Sequence, residues 1–168
     1  MNLRFHHACI ETADYAATVD FYVRLLGFTV ERETPRFHGR AYNSWLRSGD
    51  VRLEIQTPKG GSEAAAARIA GAAGAVANAA SAAGAAAGPV AGDSAAVSVA
   101  SAQGVTGLRH LCFVVEDLDA SLRRLEAGGW THFAEKGGRR IYEVEGGRLL
   151  KAIAPEGTVI ELREGEGI

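Results

Sequence analysis

The chain has 168 residues and a formal net charge of −2 at pH 7, long enough to bury a sizeable core as one domain or two small modules. With no basic patch, the charge gives no case for nucleic acid or an anionic membrane surface as a partner. Two cysteines do not make a disulfide framework.

The first stretch, Phe5-His6-His7-Ala8-Cys9-Ile10-Glu11, reads as a strand. Successive side chains of a strand point to opposite faces, so His7, Cys9 and Glu11 are expected on one face. Ala8 and Ile10 then share the other, and His6 points away from His7. A helix is expected from a cap at Thr12 or Asp14 to Leu26, with Gly27 as its stop. Tyr15, Val19, Tyr22 and Leu26 recur at helical spacing and form its expected buried stripe. Strands follow from Phe28 to Arg32 and, after a break at Pro35 to Gly39, from Ala41 to Leu46. Gly49-Asp50 is the expected hairpin turn into a last strand from Val51 to Gln56, closed by Pro58. The first module, residues 1–59, thus reads as strand, helix and three strands.

From 60 to 107 the composition changes to Ala, Gly, Ser and little else. Between Arg68 and Asp93 there is no charge, so a membrane span has to be weighed. Alanine and glycine carry little transfer energy, Asn78 and Ser81 interrupt the run, and no aromatic or basic flank anchors it. Repeated glycines and Pro89 also oppose a long helix. The segment reads as a linker. The N-terminus, Met1-Asn2-Leu3-Arg4-Phe5-His6, lacks the apolar core of a signal peptide, and a cytoplasmic protein with reduced thiols is expected.

Residues 108–168 repeat the plan. Arg109-His110-Leu111-Cys112-Phe113-Val114-Val115-Glu116-Asp117 matches the first stretch, with His110 on His7, Cys112 on Cys9 and Asp117 on Asp14. Such internal repeats define the architecture. The two cysteines, at equivalent places, are expected to face a shared interior. A helix is expected from Leu118 to Ala127, stopped by Gly128-Gly129, then a strand from Trp130 to Phe133. Ile141 to Val144 is a short strand or loop. Leu149 to Ile153 and Thr158 to Leu162 form a hairpin around Pro155-Glu156-Gly157.

In the last strand of each module an acid interrupts an apolar run: Leu53-Glu54-Ile55 and Ile160-Glu161-Leu162. A carboxylate between aliphatic neighbours is costly to bury unless it is paired or binds a metal. Each module offers one histidine from its first strand and one glutamate from its last. His7, Glu54, His110 and Glu161 are therefore the expected ligands of one divalent ion. Imidazole nitrogen with carboxylate oxygen suits Zn, Ni, Co, Mn or Fe. His6, His38 and His132 have no such partners in the pattern and read as ordinary polar residues.

These features resemble the vicinal oxygen chelate superfamily, which includes glyoxalase I, methylmalonyl-CoA epimerase, extradiol dioxygenases and the fosfomycin- and bleomycin-resistance proteins. Asp20-Phe21-Tyr22 with Leu25-Leu26-Gly27-Phe28 is similar to its helix-one signature. Pro155-Glu156-Gly157-Thr158-Val159-Ile160-Glu161-Leu162 is similar to its closing strand. The resemblance covers nearly everything except the alanine-rich insert. It implies an α+β fold of two paired βαβββ modules, with a cupped mixed sheet around a metal and helices on the outer face. The His, Glu, His, Glu order is nearest to glyoxalase I of the bacterial type.

The resemblance further implies a lyase or isomerase that moves a proton on a substrate with adjacent oxygens through an enediolate. Glu161 and Glu54 are the expected catalytic carboxylates, while Glu11, Arg40, Tyr42 and Asn43 are candidates for substrate contact. Where glyoxalase I carries an arginine for a glutathione carboxylate, this chain has Glu11; where it carries an asparagine, Pro58. An acid at an anion site is repulsive, so glutathione adducts are not the expected substrate. The rival expectation is a non-catalytic drug- or metabolite-binding protein of the bleomycin-resistance type, though those relatives generally lack the metal ligands. The expected partner is a small molecule, without nucleic acid or membrane; a homodimer stays open.

Overall fold

A computed structural model describes residues 4–60, 107–144 and 146–165. The expected linker therefore lies outside the described residues from 61 to 106. Those that are described fall into two compact units, each a βαβββ module.

In the first module β1 (Ala8–Glu11) leads into α1 (Tyr15–Asp20), followed by β2 (Thr29–Pro35), β3 (Tyr42–Ser48) and β4 (Val51–Gln56). The sheet order is β1-β4-β3-β2, with β1 parallel to β4 and the other pairs antiparallel. The helix supplies the crossover that a parallel pair requires. Asp14 caps α1 by accepting from the Ala17 backbone N–H at 3.1 Å. Thr12, the other expected cap, instead bonds Thr18 through its hydroxyl at 2.9 Å. The expected single helix to Leu26 changes character on the way, because Phe21–Leu25 is a π-helical turn. There the Leu26 N–H reaches back to the Phe21 carbonyl at 3.1 Å. The wider turn shifts the buried stripe to Tyr15, Thr18, Phe21, Tyr22 and Leu25, so Val19 and Leu26 are only half-buried. Gly27 ends the helix at φ 81°, a left-handed stop where a side chain would be strained.

The second module has β5 (Leu111–Val115), α2 (Leu118–Ala127), β6 (Ile141–Val144), β7 (Gly147–Ile153) and β8 (Val159–Glu164). Its order, β5-β8-β7-β6, copies the first, again with one parallel pair, β5 with β8. Asp117 caps α2 by accepting from the Ala120 N–H at 2.7 Å. The strand expected from Trp130 to Phe133 does not form; a single bridge joins Phe133 to Ala152. The glycines at 137 and 138, with φ of 60° and 71°, turn the chain away before a ladder can grow. Ile141 to Val144 is the strand of the two options.

Each core lies on the face of its sheet opposite the acids. Leu53 and Ile55 in β4, and Ile160 and Leu162 in β8, alternate with Glu54 and Glu161 and are buried together with residues of the helices. Full burial of each such side chain stabilises by about 1.5–3 kcal/mol. The carboxylates are thereby held on the other face by the strand alternation.

Candidate metal centre

In the first module Cys9 of β1 is the ladder partner of Glu54 of β4, and Trp45 of β3 stands on the other side of Glu54. The Nε2 of His7 lies 3.5 Å from the Glu54 Oε2, with the Glu54 side chain only 14% exposed. The other oxygen, Oε1, accepts from the Asn43 Nδ2 at 2.6 Å. Asn43 is fully buried, and its Oδ1 has no hydrogen-bond partner among the described residues. His7 precedes β1, which begins at Ala8, so the alternation expected to part it from His6 does not apply. The two rings meet instead, Nδ1 to Nδ1, at 2.7 Å. His7 also packs edge-on against Trp45, 4.8 Å between ring centroids. The expectation that His6 points away from His7 is thus corrected.

The second module places Cys112 across from Glu161 in the β5–β8 ladder, and Lys151 across from it in β7. The His110 Nε2 lies 3.9 Å from the Glu161 Oε2. Glu161 is buried and receives the Lys151 Nζ at 3.1 Å and the Cys112 thiol at 3.4 Å. Burial alone pushes the Glu161 carboxyl up, but the Lys151 hydrogen bond, the thiol and the charges around it outweigh this and hold it below the usual carboxylate range.

Both cysteines are free and exposed, against the expectation of interior thiols. Cys9 and Cys112 are the ladder partners of Glu54 and Glu161. Desolvation, then the neighbouring Glu54, pushes the Cys9 thiol up to about 11, since a thiolate beside a carboxylate is disfavoured.

Of the candidate substrate contacts, Glu11 and Arg40 form an ion pair, Nη1 to Oε2 2.6 Å, with the Arg40 side chain 14% exposed. The same nitrogen donates to the Thr57 carbonyl. Glu11 is therefore charge-compensated, which removes the repulsion expected of it. Tyr42 stands on the helix side of its sheet, stacked on Tyr15 at 5.3 Å, away from Glu54; alternation along β3 puts it opposite Asn43 and Trp45. His38 packs on Phe37 and His132 on Trp130.

The geometry thus joins His7 to Glu54 and His110 to Glu161. Among the described residues no three His, Cys, Asp or Glu side chains cluster as a complete metal cage. Three contributors were not read from the sequence as part of the site: Trp45, Lys151 and Arg163, whose Nη1 lies 3.9 Å from the Glu161 Oε1. Lys151 carried a signal, being the one charge within Leu149-Leu150-Lys151-Ala152-Ile153. No helix among the described residues is long and apolar enough to cross a membrane.

A family model described as the Glyoxalase/Bleomycin resistance protein/Dioxygenase superfamily matches residues 4–144. The chain is 30% identical over 122 residues to the uncharacterized protein YaeR of Escherichia coli, spanning 73% of this chain and 68% of that protein. Among solved structures it is similar to SMU.1112c at 27% identity and a TM-score of 0.63, over 96% of this chain and 98% of that one. A glyoxalase family protein from Enterococcus faecalis shares the fold at 24% identity and a TM-score of 0.59, over 96% and 97% of the two chains.

Proposed function

The chain belongs to the Glyoxalase/Bleomycin resistance protein/Dioxygenase superfamily, and on that premise we propose that it is a divalent-metal lyase or isomerase of glyoxalase type. Its substrate is a small molecule with adjacent oxygens. The observation that carries this reading is the recurrence of one pair, an imidazole Nε2 facing a glutamate Oε2, at 3.5 Å in one module and 3.9 Å in the other. His7, Glu54, His110 and Glu161 would hold the ion. The donor set fits: neutral imidazole and carboxylate suit Zn, Ni, Co, Mn or Fe. The Asn43 amide on Glu54 is the kind of outer hydrogen bond that orients a ligating carboxylate.

A bound divalent ion supplies Lewis acidity, which eases removal of a proton next to a carbonyl. The chain's own residues do the rest. Glu161 takes the proton and returns it, as a positioned carboxylate does in general base and acid catalysis, and Glu54 is its counterpart from the other module. Trp45 and His6 orient His7 from two sides. Arg40, fixed by Glu11, and Asn43 border the substrate. A small-molecule partner and a cytoplasmic location accompany this reading, supported by the near-neutral charge and two free thiols.

The test is elemental analysis of the purified chain, followed by 2-oxo and 2-hydroxy compounds in deuterated water with proton exchange read by NMR. Metal-dependent exchange of the proton beside the carbonyl is expected. Tight retention of a compound with no exchange would instead support a sequestering protein of the bleomycin-resistance type.

A further inference from the structure

Three arginines from three strands meet on one face of the first sheet. Arg47 of β3 and Arg52 of β4 are direct ladder partners, a placement that like charges make unfavourable. Arg32 of β2 stands across from Trp45, and Trp45 across from Glu54, so all three arginines share the face that carries Glu54. A β-bulge between Val30 and Arg32 brings one acid to them, as bulges re-aim a side chain. That acid is Glu31, which takes the Arg52 Nε at 2.9 Å and the Arg47 Nη1 at 3.2 Å. Among the described residues no other acid lies within ion-pair distance of the three, and the exposed Arg32 has no side-chain partner. The Arg47 Nε donates to the Gly49 carbonyl at 2.8 Å, and the Arg52 guanidinium lies 5.9 Å from the centre of the Trp45 ring. The Arg47 and Arg52 side chains are 48% and 33% exposed, open to a ligand.

Glu31 answers one of these charges and holds two of the guanidinium forks in position. An incoming anion therefore meets donors that are already ordered, which lowers the cost of binding it. Planar guanidinium forks match the oxygens of a carboxylate or a phosphate. We infer that Arg32, Arg47 and Arg52 form an oxyanion-binding subsite that takes the anionic end of the substrate. The inference rests on the reading of Glu54 as part of the reacting site. Arg52 lies two residues from Glu54 along β4, about 7 Å at about 3.4 Å per residue. The substrate class is thereby narrowed to compounds in which a short carbon chain separates the adjacent oxygens from a carboxylate or phosphate. Trp45, between Glu54 and Arg32 in the ladder, is the wall along which that chain lies.

The experiment uses the metal-free full-length chain, with the indole N–H signals of its two tryptophans followed by NMR at constant ionic strength. Trp45 reports on the subsite, and Trp130, in the other module, is the control in the same spectrum. The probes are inorganic phosphate and a matched pair, 5-hydroxy-4-oxopentanoate and 1-hydroxypentan-2-one. The pair shares a head of adjacent oxygens and a chain length, but only the first ends in a carboxylate. An anion should move the Trp45 signal and leave that of Trp130 in place. The carboxylate compound should bind at least about 10-fold more tightly than its neutral partner; movement by phosphate alone would assign a phosphoryl end instead. Arg32→Gln, which removes an exposed side chain without a partner, should weaken the anion at least about 5-fold, while Arg148→Gln in the second module should not. A Trp45 signal that neither anion moves overturns the inference and needs no variant to fold. Anion binding that Arg32→Gln leaves unchanged overturns it as well. Because no metal is present, both of those results leave the metal reading standing, whereas anion binding by a chain that takes up no divalent ion would keep the subsite and remove the metal reading.

Discussion

The His7 ring is fixed by neighbours rather than by a ladder. Trp45 packs against it on one side and the His6 Nδ1 meets its Nδ1 at 2.7 Å, leaving Nε2 directed at Glu54. A hydrogen bond to the far nitrogen of a ligating imidazole sets its tautomer, and losing such a partner typically costs about 10–100-fold in metal affinity. His7→Ala should therefore remove most bound divalent metal, and His6→Ala should weaken binding by about 10-fold, read by competition with a chromophoric chelator. Unchanged affinity in His6→Ala would show that its contact is idle. The Cys9 thiol makes a second prediction. With its pKa raised to about 11, it is protonated throughout the neutral range, and only about 0.1% is thiolate at pH 8. Iodoacetamide should label metal-free protein at Cys9 far more slowly than a free cysteine at pH 8, accelerating only as the pH nears 11. Labelling at the free-thiol rate, followed by mass spectrometry, would contradict the placement beside Glu54. A third concerns glutathione. Glu11 holds Arg40, and Pro58 offers no amide to a second carboxylate, so neither position supplies a free donor. The methylglyoxal–glutathione hemithioacetal should turn over negligibly; a kcat/KM of about 10⁴ M⁻¹s⁻¹ or more would restore that substrate. The ligand candidates were legible because an acid inside an aliphatic run is conspicuous. The Glu11–Arg40 pair was not, since a contact between β1 and the approach to β3 depends on how the chain folds back.

At the scale of elements, the helix starts are the most repeat-like feature. Asp14 and Asp117 each accept from a backbone N–H three residues on, and each backbone carbonyl takes a hydroxyl one turn later, from Thr18 and Ser121. Replacing either aspartate by alanine should cost about 1 kcal/mol, and the two should cost alike, read as denaturant midpoints of the full chain. A cost confined to one of them would mean that the two caps do not do equal work. These caps, the glycine stops and the strands carrying the acids could be read from residue type and spacing. The π turn at Phe21–Leu25 could not, because it follows from fitting Phe21, Tyr22 and Leu25 together into the core, which spacing alone does not encode. The absent strand at Trp130 to Phe133 has a similar cause: its residues favour strand, but Gly137-Gly138 turns the chain after one bridge.

Across the whole molecule, the two modules share a topology and an imidazole–carboxylate pair but not a charge environment. Glu54 is met by an amide and an aromatic ring, Glu161 by Lys151 and Arg163. The duplicated scaffold was visible in the sequence as a repeat, whereas its electrostatic asymmetry emerged only with the strand register. The proposal that His7, Glu54, His110 and Glu161 hold a single ion is tested by metal stoichiometry. Elemental analysis of the dialysed parent should give one divalent ion per chain, and His7→Ala and His110→Ala should each abolish it, although they alter different modules. Two ions per chain, with each substitution removing only its own, would contradict the claim, as would a parent that binds none.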